Sequence, residues 1–417
     1  MEVVEDIVII GAGIAGLTTS LGLHKLGIRS LVLESSEGLR IKGYALTLWS
    51  NAWKALDAVG IGDSLRCRHQ LLDGNVTTSV VSGLKISDIS FNVKGKDGVN
   101  EVRRVKRNML VEALAKELRS GTIRYSSKVV CIEESGFYKL VHLADGTTFK
   151  TKVLIGCDGV NSVVAKWLSL KKPSSTGRFA IRGCVDFKSS HGFAPITMHF
   201  FGNGVRFGFV PCDDNSVYWF FTWIPSSQEK DQTEDNTVKM KQLVLSKLGK
   251  IPDEVRAVVE NTELDSFVPY PLRYRQPWEL LWGNISKENV CVAGDALHPM
   301  TPDIGQGGCA ALEDGVVLAR CLAEALHKEP GGETKDRERD DQRSEIEEYE
   351  RIEMGLKKFA KERKWRSIEL ISTAYIVGFM EQSDGKVMTF LRDKIFAAFL
   401  AGIMLKMGSF DCGKLIL

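Results

Sequence analysis

Along the chain, Asp6–Ile10 is a short apolar run that stops at a cluster of glycines. Ala15–Leu26 then sets Leu17, Leu21, Leu23 and Leu26 at helical spacing, and Ser30–Glu34 is a second strand-like run. Strand, turn, helix and strand in this order open a doubly wound α/β fold with a parallel sheet. Val129–Cys131, Leu140–His142 and Val153–Gly156 predict three more strands, divided by turn residues such as Asp145-Gly146, that return to the same domain. From about Lys171 the texture changes. Arg178–Phe187, Ile196–Phe201, Val205–Val210 and Val217–Trp223 are strand-like runs joined by short segments rich in Gly, Asn, Asp and Pro, which predicts an antiparallel sheet. Leu281–Ala293 reverts to a buried strand, and a glycine-rich turn leads into a helix from Cys309 to Leu326. The antiparallel sheet is thus inserted into the first domain.

These patterns divide the chain. Residues 1–75, 107–170 and 281–326 build the first domain, 76–106 and 171–280 the sheet domain, and 327–417 a charged linker and helical C-terminal region. Within that last part, Lys328–Arg366 alternates charges and reads as a linker followed by a solvated helix face. Ile368–Met380 and Ile395–Met407 are apolar helices of 13 residues each, too short to cross a bilayer and suited to packing on the core. An interfacial membrane contact is the minority alternative for them.

Composition narrows the partners. The 417 residues are 44% hydrophobic and 26% charged, an ordinary globular balance that excludes a disordered chain. With 55 Lys+Arg against 53 Asp+Glu the net charge is +2, so no basic field draws the chain to nucleic acid or anionic lipid, and recognition must be local. Nine scattered cysteines without a CxxC pair read as reduced thiols, with no metal-ligand spacing. Because the first strand begins near Asp6, no leader peptide is read ahead of it, and the chain is expected to be soluble and cytoplasmic. Oligomeric state is not legible.

Three segments carry chemistry. Gly11-Ala-Gly13-Ile-Ala-Gly16 follows a strand and opens a helix. In that setting Gly11 permits the tight turn, Gly13 lets backbone approach a pyrophosphate, and Gly16 allows close helix–strand packing. The helix N-terminus offers free N–H groups and a positive dipole end to phosphate. Glu34 ends the next strand eighteen residues after Gly16, where a carboxylate accepts both hydroxyls of an adenosine ribose and repels a 2′-phosphate. The cofactor is then FAD or NAD. The second segment, Val290–Val292 followed by Ala-Gly-Asp295 and the loop Pro302–Cys309, decides between them. An Asp at the end of a buried strand suits the ribityl hydroxyls of a flavin, and the Gly305–Gly308 backbone can lie against its ring, with a helix N-terminus behind to stabilise negative charge. The third, Cys157-Asp158-Gly159-Val-Asn161-Ser162, again follows a strand. His298 in the second segment reads as a buried histidine satisfied by loop backbone.

With these three motifs in order over residues 5–326, the sequence resembles the group A flavoprotein monooxygenases, the FAD- and NAD(P)H-dependent aromatic-hydroxylase type that includes salicylate and urate hydroxylases and zeaxanthin epoxidase; the Pro302–Cys309 loop is most similar to the plant branch. The resemblance implies a Rossmann-type FAD-binding domain with an inserted antiparallel-sheet substrate domain and a helical C-terminal tail. It implies that Ala15, Glu34 and Ser35 touch the ADP part, that Thr47 lies near the flavin, and that Arg107 and Val130 contact FAD. Asp158 would connect the pyrophosphate to transient docking of NADH or NADPH. Asp295 with Gly305, Gln306, Gly307, Gly308 and Cys309 would hold the ribityl chain and ring. Arg103, Arg104 and Lys106 read as surface charge. In such enzymes NAD(P)H reduces the flavin, O₂ adds to give a C4a-hydroperoxide, and an electron-rich substrate takes its distal oxygen. No metal is needed. Arg206 would orient a carboxylate or phenolate of a small-molecule substrate, and Tyr218 would bond to or stack on its ring. Epoxidation of an isoprenoid and a non-catalytic flavin-binding role are the alternatives.

Three further patterns are set aside. Gly202–Gly208 is glycine-rich but lies between strands and reads as a hairpin turn; Gly408–Lys414 matches most of a phosphate loop yet has Leu415 for the Ser/Thr; and Trp219 and Trp223 stand four apart, too far for the halogenase WxWxIP pattern.

Overall fold

A computed structural model describes residues 2–40, 45–92, 94–95, 98–227, 229, 236–327, 337–382 and 397–416. The opening apolar run becomes the central strand Glu2–Ile10, parallel to Thr148–Gly156 on one side and to Leu31–Leu33 on the other. Ile123–Arg124 extends the sheet beyond Leu31–Leu33, and Val290–Val292 pairs in parallel with the end of Thr148–Gly156, Leu154 opposite Val290. Parallel strands are covered on both faces, which is why Ile7, Val8, Ile9, Val290, Cys291 and Val292 are all buried. Val129–Ser135 and Tyr138–Leu143 add an antiparallel hairpin to the same sheet. Helices Ile14–Lys25 and Gly307–Leu326 cross closely because small residues meet: a Cβ on Gly22 would lie 2.7 Å from that of Ala319, and one on Gly315 would lie 2.6 Å from that of Thr18.

The second sheet has seven strands in the order Val268–Tyr274, Ser174–Asp186, Ser216–Trp223, Val205–Pro211, Ile196–Gly202, Gly74–Ser79 and Lys85–Ser90. Neighbours are antiparallel except Ile196–Gly202 with Gly74–Ser79. Period-two alternation splits it. Phe207, Phe209, Trp219, Phe221 and Trp223 form a core with the helices Thr237–Lys247 and Asp253–Asn261 on one face. Arg206, Tyr218 and Phe220 face the other way, towards the first domain. The Gly202 region is the hairpin turn, with Asn203 and Gly204 at φ 52° and 71°. Arg103–Lys106 leaves this sheet and pairs instead with Ala45–Leu48 as a ribbon between the domains, Thr47 opposite Arg104.

The C-terminal region corrects the expectation of a linker and solvated face. Arg337–Gln382 is one helix of 46 residues. Ile352, Leu356 and Phe359 are buried, and so are Arg363 and Arg366 inside the charged stretch, because both guanidinium groups meet Glu313. Residues 328–336 of that stretch lie outside the described residues. Ala397–Met407 follows; Ile395 and Phe396 lie outside the described residues. The backbone beyond it is tied back: Met407 O accepts from Arg366 Nη2 at 2.6 Å and Gly408 O from Asn51 N at 2.9 Å. Among the described residues no helix is long and apolar enough to cross a membrane.

Candidate active site

The glycine turn shows why Gly11 and Gly16 are needed. Gly11 has φ 102° and a Cβ there would come within 2.4 Å of Cys157 O; a Cβ on Gly16 would come within 2.0 Å of Gly11 O. Gly13 differs, since nothing lies within 4 Å of its Cβ position. The turn is therefore pressed onto the strand crossing from behind and open in front, where the first N–H groups of Ile14–Lys25 have no intrahelical acceptor. Glu34 closes the side of this shelf: Oε2 accepts from Ala12 N at 2.9 Å and Oε1 from Ser36 N at 2.9 Å and Ser35 Oγ at 3.2 Å. Burial works to raise its pKa, but these bonds outweigh it and hold the carboxyl below its ordinary range.

A cavity of about 900 Å³ runs from this shelf to the second sheet. Gly11, Gly13, Ala15, Glu34, Ser35, Arg107 and Asp158 line its first part, and Thr47, Asp295, Gly305, Gly307 and Gly308 its middle. Arg206 and Tyr218 belong to the far wall. Four expected contacts lie outside the lining. Gly16 is behind the turn; Gln306 accepts from Asn51 Nδ2 at 2.9 Å; and Cys309 is buried with Sγ 3.5 Å from Thr47 O, its thiol pushed up to about 12 by burial. These three brace the walls. Val130 is 53% exposed because strand alternation turns its neighbour Val129 inward, and Val129 with Lys128 and Ser127 lines the cavity in its stead.

The turn after Val290–Val292 delivers an acid. Gly294, at φ 61°, brings the chain against Ala15, and Asp295 follows in the single 3₁₀ turn Gly294–Ala296. The Asp295 carboxylate opens onto the cavity with no hydrogen-bond partner among the described residues. Enclosure by protein raises its pKa, opposed by the charges of His298, Arg107 and Arg182. Asp158 accepts from Val163 N at 2.7 Å through Oδ2, while Oδ1 is buried with no partner among the described residues; burial raises its pKa as well. An open shelf at a helix N-terminus, a ribose-side carboxylate and an unpaired acid further along one cavity fit the pyrophosphate, adenosine and ribityl parts of FAD.

His298 departs from the sequence reading. Its Nε2 meets a carboxylate, Asp314 Oδ2 at 2.7 Å, and not loop backbone. The same oxygen accepts from Gly294 N at 2.7 Å, and Oδ1 accepts from Arg363 Nε at 2.6 Å. Burial would raise the Asp314 pKa, yet the charges of His298 and Arg363 hold it at about 2. The acid-bearing turn is thereby fastened to two helices.

On the sheet side, Arg206 is corrected. Its Nη1 lies 2.7 Å from Asp303 Oδ1 and its Nε 2.9 Å from Glu381 Oε2, all three side chains being buried. Arg178 holds Asp303 Oδ2 at 2.6 Å. A guanidinium neutralised in this way braces the Pro302–Cys309 loop against the helix Arg337–Gln382 and is not free to clamp a substrate. Tyr218 is buried at the cavity wall, its ring beneath the Arg104 guanidinium at 5.4 Å. Arg104, read from sequence as surface charge, is only 6% exposed and lines the cavity. No local signal marks it: its orientation is set by the register of the ribbon, which pairs it with Thr47. His199 also lines this end, held neutral by burial and by the charges of Arg206 and Arg104.

Residues 5–348 match the family model described as FAD binding domain. Monooxygenase 2 of Arabidopsis thaliana is 55% identical over 412 residues, 99% of this chain and 98% of that protein. An FAD-dependent urate hydroxylase of Mycolicibacterium vanbaalenii is 27% identical over 322 residues, 75% of this chain and 78% of its own. Among solved structures, Klebsiella pneumoniae HpxO complexed with FAD and uric acid superposes with TM-score 0.78 at 20% identity, covering 98% of this chain and 96% of that one, a likeness that speaks for the fold. Motif geometry, fold and sequence relationship agree, and the chain belongs to the FAD binding domain family, among the group A flavoprotein monooxygenases.

Proposed function

We propose that this chain is an FAD-dependent monooxygenase that uses NADH or NADPH and O₂ to hydroxylate an aromatic or other electron-rich small molecule. The observation that carries this reading is a single cavity that runs from the glycine turn, past the unpaired Asp295 carboxylate, to a wall of Tyr218, Phe220 and Tyr270 on the sheet. When bound there, FAD supplies the redox chemistry between the nicotinamide, oxygen and the substrate. The protein's part is to bind, orient and exclude water. Gly11, Gly13, Ala15 and the helix behind them take the pyrophosphate, Glu34 and Ser35 the adenosine end, and Arg107 and Thr47 the flavin's flank. Asp295 accepts from the ribityl hydroxyls, and the backbone of Gly305, Gly307 and Gly308 borders the ring. Asp158, beside the pyrophosphate shelf, serves transient nicotinamide docking. The sheet and Met404 of the C-terminal helix cover the reacting region, limiting wasteful peroxide release.

Hydroxylation is preferred over isoprenoid epoxidation because Leu370, Ala374, Val377 and Met407 of the apolar C-terminal helices are buried together beside the cavity, leaving Ile376 and Phe379 as exposed apolar residues of the first of them. The test is direct. The purified protein should be yellow, and a phenol panel should contain a compound that stimulates NAD(P)H oxidation with near-equal oxygenated product; peroxide alone across the panel would overturn the reading. Asp295→Ala should purify largely as apoprotein by its flavin-to-protein absorbance ratio, and full occupancy would contradict the role given to Asp295.

A further inference from the structure

Among the described residues five arginines line the cavity, Arg40, Arg104, Arg107, Arg182 and Arg206. Four have a carboxylate in their field. Arg206 is paired with Asp303 and Glu381, Arg40 acts on Glu34, and Arg107 and Arg182 act on Asp295. Arg104 has none among the described residues. The groups that act on it are Cys212 and Tyr218; Nη1 donates to Ala45 O at a long 3.4 Å, and Nε is buried without a partner. A guanidinium cannot shed its proton to escape burial. An uncompensated buried charge is among the costliest features a fold can retain.

The geometry says what an anion at this guanidinium would meet. Arg104 stands opposite Thr47 in the ribbon, so both side chains leave the same face. Thr47 in turn borders Gly305 of the flavin loop, whose Cβ position is 4.0 Å from that of Thr47. On the sheet side the guanidinium lies over Tyr218, with Phe220 one step along the same face. His199 is neutral and supplies no counter-charge. Asn75, in the same wall, carries a buried Oδ1 without a partner.

We propose that Arg104 is the specificity-determining residue at the sheet end of the cavity: its guanidinium faces an anionic substituent of the substrate while the substrate ring lies against Tyr218 and Phe220. This rests on the monooxygenase reading and assigns the residue that selects for charge within it. A positive charge at that end favours the ionised, electron-rich form of a ring substituent without needing a protein base.

The experiment is binding to the FAD-loaded enzyme, read by perturbation of the flavin spectrum, with two matched pairs: benzoate against benzamide, and 4-nitrophenolate against 4-nitroanisole. Wild type should hold at least one anion roughly tenfold or more tighter than its neutral partner, the worth of a charge-assisted hydrogen bond. The pair that discriminates identifies carboxylate or phenolate. Arg104→Met should lose the preference, with FAD occupancy and flavin midpoint potential unchanged; Arg104→Lys should keep part of it and serves as the readout if the Met variant does not fold. Equal binding within both pairs by wild type, or an undiminished preference in Arg104→Met, overturns the proposal. So does a shifted midpoint potential with the preference intact, which would make Arg104 a counter-charge to the flavin. Because binding is read without turnover, an enzyme that shows the preference but forms no oxygenated product would fail the monooxygenase reading alone.

Discussion

His298 and Arg104 illustrate how a single side chain takes its meaning from a partner distant in sequence. His298 is buried, which works to lower its pKa, but the charge of Asp314 and the bond to it outweigh burial and raise it above the ordinary 6.5. A histidine raised in this way contributes stability that is complete below about 6.5 and drains as pH rises through the folded-state value. Its partner works at the other end of the scale, contributing above about 3.8 and losing that contribution as pH falls through about 2. The wild-type urea midpoint should therefore fall as pH rises from about 6 to about 8, and His298→Gln should flatten that slope; an unchanged slope would show that the pair does not titrate there. Sequence could identify His298 as buried in the loop, since it follows an apolar strand. Its acceptor sixteen positions on, across a turn and a helix end, had no local signature.

At the scale of elements, alternation in Ser216–Trp223 was readable: aromatic residues on alternate positions must face opposite sides of a sheet. Trp219, Phe221 and Trp223 fill the core under two helices, leaving Tyr218 and Phe220 to the cavity. Strand register was not readable, and it matters. Gly208 stands opposite Phe220, and a Cβ there would fall 2.1 Å from the ring carbon Cε1. Gly208→Ala should destabilise by about 1–3 kcal/mol through overpacking, and Phe220→Leu should relieve most of that loss in the double variant. Urea unfolding of the four proteins in the cycle checks this; additive losses would mean the two residues do not contend for the same space. The long helix Arg337–Gln382 was misread for a related reason. Its charges resemble a solvated face until the carboxylates that neutralise them, Glu313 and Asp314, are brought alongside from 49 and 53 positions away.

For the molecule as a whole, the buried cluster of Arg178, Arg206, Asp303 and Glu381 joins the sheet, the Pro302–Cys309 loop and the helix Arg337–Gln382 at one point. Gln382 extends it, accepting from Arg178 and donating to Thr222 Oγ1 at 2.7 Å. Arg206→Met should cost about 3–5 kcal/mol of unfolding free energy, as expected when one member of a buried ion cluster is removed, and should speed loss of FAD. A variant of normal stability with only a raised KM would restore Arg206 to the substrate role that the family resemblance implied. The doubly wound domain, its inserted sheet and the three glycine- and acid-bearing motifs were legible along the chain, because glycines at turns, an acid at a strand end and period-two or helical spacing are local requirements that neighbouring residues must meet. Which arginines of the cavity meet carboxylates, and that Arg104 has none among the described residues, came from the fold in space. Charge compensation acts through space between segments far apart in the chain, and a buried guanidinium differs from a solvated one only in what surrounds it.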